Sequence, residues 1–215
     1  MENRFVRILR GCSSKIFRGH VVKTFSQRNK IKQCSIISSN CIGGILSHDL
    51  GLRFDSPTIN LWFDAHGFIQ FLENLEDYLH CPLSNVSMDR DKGYPVGYLD
   101  NNIKIHFQHY HTVEEAKEKW ATRCKRVDMN NLCVICTDRD GMTPELMRRF
   151  LKLPYKKIIY VSHKAMVLSE ECIYVPGFEN EKQLPDMTGW ADMKGHRHYE
   201  KHFDIVGWLN DAMKV

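Results

Sequence analysis

The chain has 215 residues, of which 43% are hydrophobic and 26% charged, with a net charge of +4 and 8 cysteines. That length and apolar content supply one full core and exclude a disordered, collagen-like or repeat architecture; no apolar run approaches the roughly 20 residues of a membrane-spanning helix. A chain that makes its own core and shows no secretory leader keeps its thiols reduced, so the cysteines are expected to be free and the protein cytoplasmic.

The charge is unevenly spread. Residues 1–32 carry nine Lys/Arg against Glu2 alone, which leaves the rest mildly acidic. A basic N-terminal arm (1–32) on a single domain (33–215) points to contact with a phosphate-rich surface. The segment "RFVRILRGCSSKIFRGHVVKTF" alternates apolar and basic residues. It is expected either to be solvated or to form an amphipathic helix on an anionic membrane, at the inner face. Nucleic acid is not an expected partner, because the body lacks a basic stripe with interleaved aromatics.

After the arm, "CSIIS" (34–38) reads as a strand buried on both faces, and "CIGGILSHDLG" as a short helix beginning near Cys41 and ending at Gly51. "FDAHGFIQFLENLEDYL" has helical spacing with Asp64 as N-cap, and residues 81–102 read as a loop with a turn at "LDNN". "IKIHFQHY" (103–110) alternates as a half-buried strand that turns His109 inward with Ile105 and Phe107. "TVEEAKEKWATRCKRV" is a helix capped by Thr112, and "TPELMRRFLKL" one capped by Thr143 with Pro144 at its first position. "LCVICT" (132–137), "KIIYVS" (157–162) and "CIYV" are further apolar strands, and "HFDIVGWLN" closes with a short helix. Such alternation predicts an α/β fold, a three-layer sandwich with a largely parallel central sheet.

In such sheets ligands bind beyond the carboxyl ends of the strands, where this chain places "SSNC" (38–41), "TDRDG" (137–141) and "SHK" (162–164). A thiol at Cys41, in the first turn of a helix, faces unpaired N–H groups that favour thiolate. Strand, turn, nucleophile and glycines is also an arrangement that forms an oxyanion hole. Asn40 would flank the nucleophile, and Gly43 and Gly44 would let a substrate approach the backbone. The alternative is a small apolar residue packed under the sheet. A catalytic base would come from His48, His106, His109, His111 or His163. Of Asp138 and Asp140, one is expected to pair with Arg139, leaving the other to orient a histidine or bind a sugar hydroxyl. Cys133 and Cys136 form a C-x-x-C, but residues three apart on a strand face opposite ways, so no metal site is expected. "GHRHYEKHFD" (195–204) reads as a solvated basic loop.

The run "SIISSNCIGGILSHDLGLRFDSPTINLWF", with "FLENLEDYL", "YPVGYLDNNIKIHFQHY", "TDRDG" and "HFDIVGWLN", resembles a bacterial family labelled exopolysaccharide biosynthesis proteins, over roughly residues 30–210. The order of its Cys turn, His strand and helix is fainter in its likeness to papain-like cysteine peptidases. That second likeness implies Cys41 as nucleophile, His109 as base and Asp138 or Asp140 as orienter. Together they imply a surface-glycan enzyme that moves an acyl group, from a donor such as acetyl-CoA, onto a sugar or lipid-linked glycan. A glycosyltransferase holding a nucleotide-sugar diphosphate at Arg139, with Mg²⁺ or Mn²⁺, is the alternative. A non-catalytic glycan-binding protein using Trp62 or Trp190 is the third.

Overall fold

A computed structural model of the chain describes residues 4–212, and the side chains of residues 10–211. In chain order the elements are α1 (Arg4–Arg28), β1 (Ser35–Ser38), α2 (Ile42–Asp49), α3 (Ala65–Glu73), α4 (Leu75–His80), β2 (Ser84–Asp89), β3 (Tyr94–Leu99), β4 (Ile103–His106), α5 (Val113–Cys124), β5 (Leu132–Thr137), α6 (Pro144–Lys152), β6 (Lys156–Val161), β7 (Cys172–Tyr174), α7 (His198–Lys201) and α8 (Ile205–Ala212). Residues 1–3 and 213–215, the extremities of the expected arm and tail, lie outside the described residues.

The four apolar strands form one parallel sheet in the order β1-β5-β6-β7. Its strands are apolar throughout because both faces are covered. Ile37, Val134, Cys136 and Ile159 point into one core, shared with α3, α4, α5 and α6. Ile36, Cys133, Ile135 and Tyr160 point into the other, shared with α1, α2 and α8. The fold is therefore the expected three-layer α/β sandwich. Cys133 and Cys136 enter opposite cores, as their spacing on one strand requires.

The caps follow the sequence. Asp64 Oδ1 accepts from the Gly67 amide at 2.7 Å, Thr112 Oγ1 from Glu115 at 3.0 Å, and Thr143 Oγ1 from Leu146 at 3.2 Å. Four local features differ from expectation. The stretch 195–204, expected as a solvated loop, holds α7 and buries Tyr199 and Glu200. The helix after Asp64 breaks at Asn74, whose φ of −129° is not helical, giving α3 and α4. The stretch 81–102 is no loop: β2, β3 and β4 form a small antiparallel sheet. β2 is a polar edge strand that contributes little to either core, so its sequence carries no apolar signal. Finally, β4 stops at His106 and residues 107–110 form a turn, in which the Tyr110 amide donates to the Phe107 carbonyl at 3.0 Å.

The basic segment is packed on the body from about residue 13 onward. Val21 and Phe25 enter the second core, and Ser13 Oγ donates to the Met193 carbonyl at 2.8 Å. Arg18 pairs with both Asp49 of α2 and Glu200 of α7, its side chain only 12% exposed. Among the described residues no helix is long and apolar enough to cross a membrane.

Candidate functional site

β1 and β5 are adjacent and parallel, with Ser38 opposite Ile135, so the loops leaving their carboxyl ends meet at one edge of the sheet. A cavity of about 550 Å³ opens there. Of the residues expected at a site, Asn40, Cys41, His109, Arg139 and Asp140 line it. Asp138, Gly43 and Gly44 are not among its lining residues. Ile45, Trp62, Tyr94, Gln108, Asp186 and Thr188 complete the walls.

The corner after β1 is built from short polar side chains. Ser38 Oγ accepts the Gly43 amide proton at 3.0 Å and donates to the Asn40 carbonyl at 2.5 Å. Asn40 Oδ1 accepts from the Ile42 amide at 3.2 Å, and its Nδ2 donates to Thr137 Oγ1 across to β5, also at 3.2 Å. The amides of Ile42 and Gly43, expected to face an oxyanion, are therefore engaged by the corner itself. The two glycines serve close packing. A Cβ on Gly43 would lie 2.6 Å from Ser38 Oγ and 3.1 Å from the Ile36 carbonyl, and one on Gly44 3.3 Å from Ile59 Cγ2.

Cys41 is half-buried at the start of α2. Burial pushes its thiol up to about 11, and the Asp186 carboxylate adds to the shift. This is opposite to the expected depression. The helix amides nearest the sulfur have other partners, so the short helix offers little positive potential against burial and a nearby anion.

His109 sits in the turn after β4, exposed instead of inward, with its amide donating to the Asn60 carbonyl at 3.3 Å. It shares the cavity with Cys41, with no hydrogen bond between the two side chains. The inward histidine is His106. Its ring stacks on Trp62 with centroids 3.7 Å apart and planes within 3°, while Tyr94 approaches edge-on at 6.2 Å. Burial, helped by Lys92 and Lys104, pushes His106 down to about 4, so it is a neutral ring at pH 7. Lys92 Nζ lies 5.6 Å from the Trp62 centroid. Trp62 thus presents a rigid, backed aromatic wall.

The two aspartates of "TDRDG" separate. Asp138 is buried, and its carboxylate accepts from the Ser162 amide at 2.7 Å, Ser162 Oγ at 2.5 Å and the Leu184 amide at 2.9 Å. It ties the end of β5 to the end of β6 and to the 184 segment. Ser162 Oγ also contacts His163 Nδ1 at 2.7 Å. Asp140 is the member that reaches the cavity, with Arg139 Nε 3.8 Å from its Oδ2. Burial raises its carboxyl, Arg139 opposes this, and Asp64 adds to it. Asp140 has φ +57° and is followed by Gly141 at +93°, a left-handed pair held by the Asp140 amide donating to Gln183 Oε1 at 2.9 Å.

Asp186, Thr188, Tyr94 and Gln108 are not legible as site residues. "PDMTG" reads as a turn, and Asp186 Oδ1 does accept from the Thr188 amide at 2.9 Å and hydroxyl at 2.7 Å. Nothing in that spacing says that the turn folds back against Cys41. Among the described residues no group of three His, Cys, Asp or Glu stands together as metal ligands would.

A family model described as "Domain of unknown function (DUF1919)" matches residues 12–210. A protein of Haemophilus influenzae, named "Uncharacterized protein", is 35% identical over 210 residues, covering 98% of this chain and 100% of its own length. Both matches include most of the basic segment that packs as α1.

Proposed function

Since the chain belongs to the DUF1919 family, whose description names no reaction, we propose a function from the cavity itself: transfer of an acyl group onto a sugar hydroxyl through Cys41. The observation that carries the reading is the meeting of Cys41, His109 and Asp140 with the Trp62 wall around one cavity at the carboxyl ends of β1 and β5. Two carboxylates, of which Asp140 is paired with Arg139, two amide side chains and an aromatic face suit a neutral polyol better than a polyphosphate. A sugar stacks on Trp62 and offers its hydroxyls to Asp140 and Asp186.

Cys41 rests as a neutral thiol, so proton removal accompanies attack. As Sγ adds to the carbonyl carbon of an acyl thioester donor, its proton passes to the His109 imidazole. The donor thiolate leaves and takes that proton, and Cys41 holds the acyl group as a thioester. The sugar hydroxyl then attacks this carbonyl, giving its proton to His109, and the Cys41 sulfur departs and is reprotonated. The sequence resemblance to exopolysaccharide biosynthesis proteins supports a surface-glycan sugar as acceptor.

The test uses acetyl-CoA as donor probe and peptide mass spectrometry as readout. A hydroxylamine-labile acetyl group is expected on the Cys41 peptide, absent in Cys41→Ala and formed about 10²-fold or more slowly in His109→Asn. A Cys41→Ala protein that still modifies glycan at the native rate would overturn the mechanism. The high thiol pKa and the Arg139–Asp140 pair favour one alternative, glycosyl transfer with Asp140 as base. In that case a nucleoside diphosphate stabilises the protein, Asp140→Asn abolishes turnover and Cys41→Ala does not.

A further inference from the structure

We infer that the outer side of α1, with the groove beside it, docks on an anionic phospholipid surface. A groove of about 830 Å³ runs between α1 and the chain from Lys194 to Ile205. Its walls include Phe17, Val21, Phe25 and Phe203, and its rim includes Lys194 and Lys201. The two acids that line it are both ion-paired, Glu200 with Arg18, which it shares with Asp49, and Asp204 with Arg28.

Exposed apolar side chains lie on the groove's edge at Phe17 and just outside it at Ile16 and Met193. Ile16 is 78% exposed, Phe17 52% and Met193 50%. Met193 is held against the middle of α1 by its carbonyl bond to Ser13 Oγ, and Gly195 lies directly against the backbone of Phe17 and Arg18. The 193–195 segment and the Ile16–Phe17 turn therefore form one surface. Lys15 and Lys23 flank Ile16 on the helix, and together with Lys194 and Lys201 they have no ion pair among the described residues. Residues 3–28 contain no Asp or Glu at all.

Bulky apolar side chains that cost free energy in water, ringed by unpaired lysines with no acid on the helix, complement lipid phosphates above an acyl layer. Ile16 and Phe17 enter the acyl boundary, the lysines meet the headgroups, and a lipid chain is accommodated along the groove. α1 lies in the plane of the surface, its inner side still packed on the sandwich through Val21 and Phe25.

The test is co-sedimentation of the full chain with vesicles of phosphatidylcholine alone or mixed with phosphatidylglycerol. Retention is expected on the mixed vesicles and not on the neutral ones. Ile16→Ser with Phe17→Ser, both at exposed positions, should weaken it about tenfold or more. Lys15→Gln with Lys23→Gln should do so about 25-fold, since each lysine near an anionic surface contributes about fivefold. High salt should mimic the lysine pair. Circular dichroism controls for folding. Absence of retention on mixed vesicles, equal retention on neutral ones, or indifference to both double variants would each overturn the proposal. So would a vesicle-free dimer that Phe17→Ser converts to monomer, which would assign the groove to a second copy of the chain.

Discussion

Cys41 lies beside the Asp186 carboxylate and under partial cover, and both keep its proton in place. With a thiol pKa of about 11, roughly one molecule in ten thousand carries the thiolate at pH 7. Iodoacetamide labelling of the Cys41 peptide should therefore be slow at neutral pH and rise about tenfold per pH unit toward pH 11, with Asp186→Asn shifting the whole profile to lower pH. A profile that levels off by pH 7 would contradict this environment. His106 gives a second pH signature. Its value falls from 6.5 in the unfolded chain to about 4 in the fold. Between those values the unfolded state binds more protons, so the stability associated with its neutral ring is whole above pH 6.5 and is lost as the pH falls toward 4. The loss is about 3 kcal/mol at most. Urea melts across that range should show it, and His106→Phe, which keeps an aromatic on Trp62, should flatten the curve. Neither histidine's role was available from residue type. The alternation of 103–110 aimed His109 inward, but the strand ends at His106, which takes the buried place while His109 moves to the cavity wall.

At the scale of elements, the seating of α2 on β1 sets where Cys41 stands. Gly43 is the contact point, since a Cβ there would fall 2.6 Å from Ser38 Oγ and 3.1 Å from the Ile36 carbonyl. Gly43→Ala should push α2 off the strand, cost about 1–3 kcal/mol by chemical denaturation, and change Cys41 labelling along with stability. Gly19 in α1 supplies the contrast: nothing lies within 4 Å of its Cβ position. Gly19→Ala should stabilise the protein by about 0.5–1 kcal/mol, because only backbone entropy changes. Most elements were legible because their apolar period or cap chemistry is local. The caps at Asp64, Thr112 and Thr143 all bond as their positions demand. The hairpin of β2 and β3 was not, because an exposed polar edge strand has the composition of a loop until its partner is present.

At the scale of the whole molecule, α1 joins the layers through a charge as well as through Val21 and Phe25. Arg18 reaches Asp49 on α2 and Glu200 on α7, with all three side chains largely out of water. Arg18→Met would leave two buried carboxylates without their cation, and a loss of about 3–5 kcal/mol in a urea melt is expected. A loss under 1 kcal/mol would show that water satisfies those carboxylates instead. The sequence by itself determined the parallel sandwich, its helix caps and the strand ends where chemistry could gather, because periodicity, capping and the rule that ligands bind beyond strand ends depend on residues near one another in the chain. Only the tertiary structure decided that Asp138 is a tie between β5 and β6 while Asp140 enters the cavity, that Asp186 stands against Cys41, and that the basic segment is a packed helix. Those outcomes turn on burial and on groups brought together from 24 to 182 residues apart in the chain, and no local pattern records which distant group will arrive.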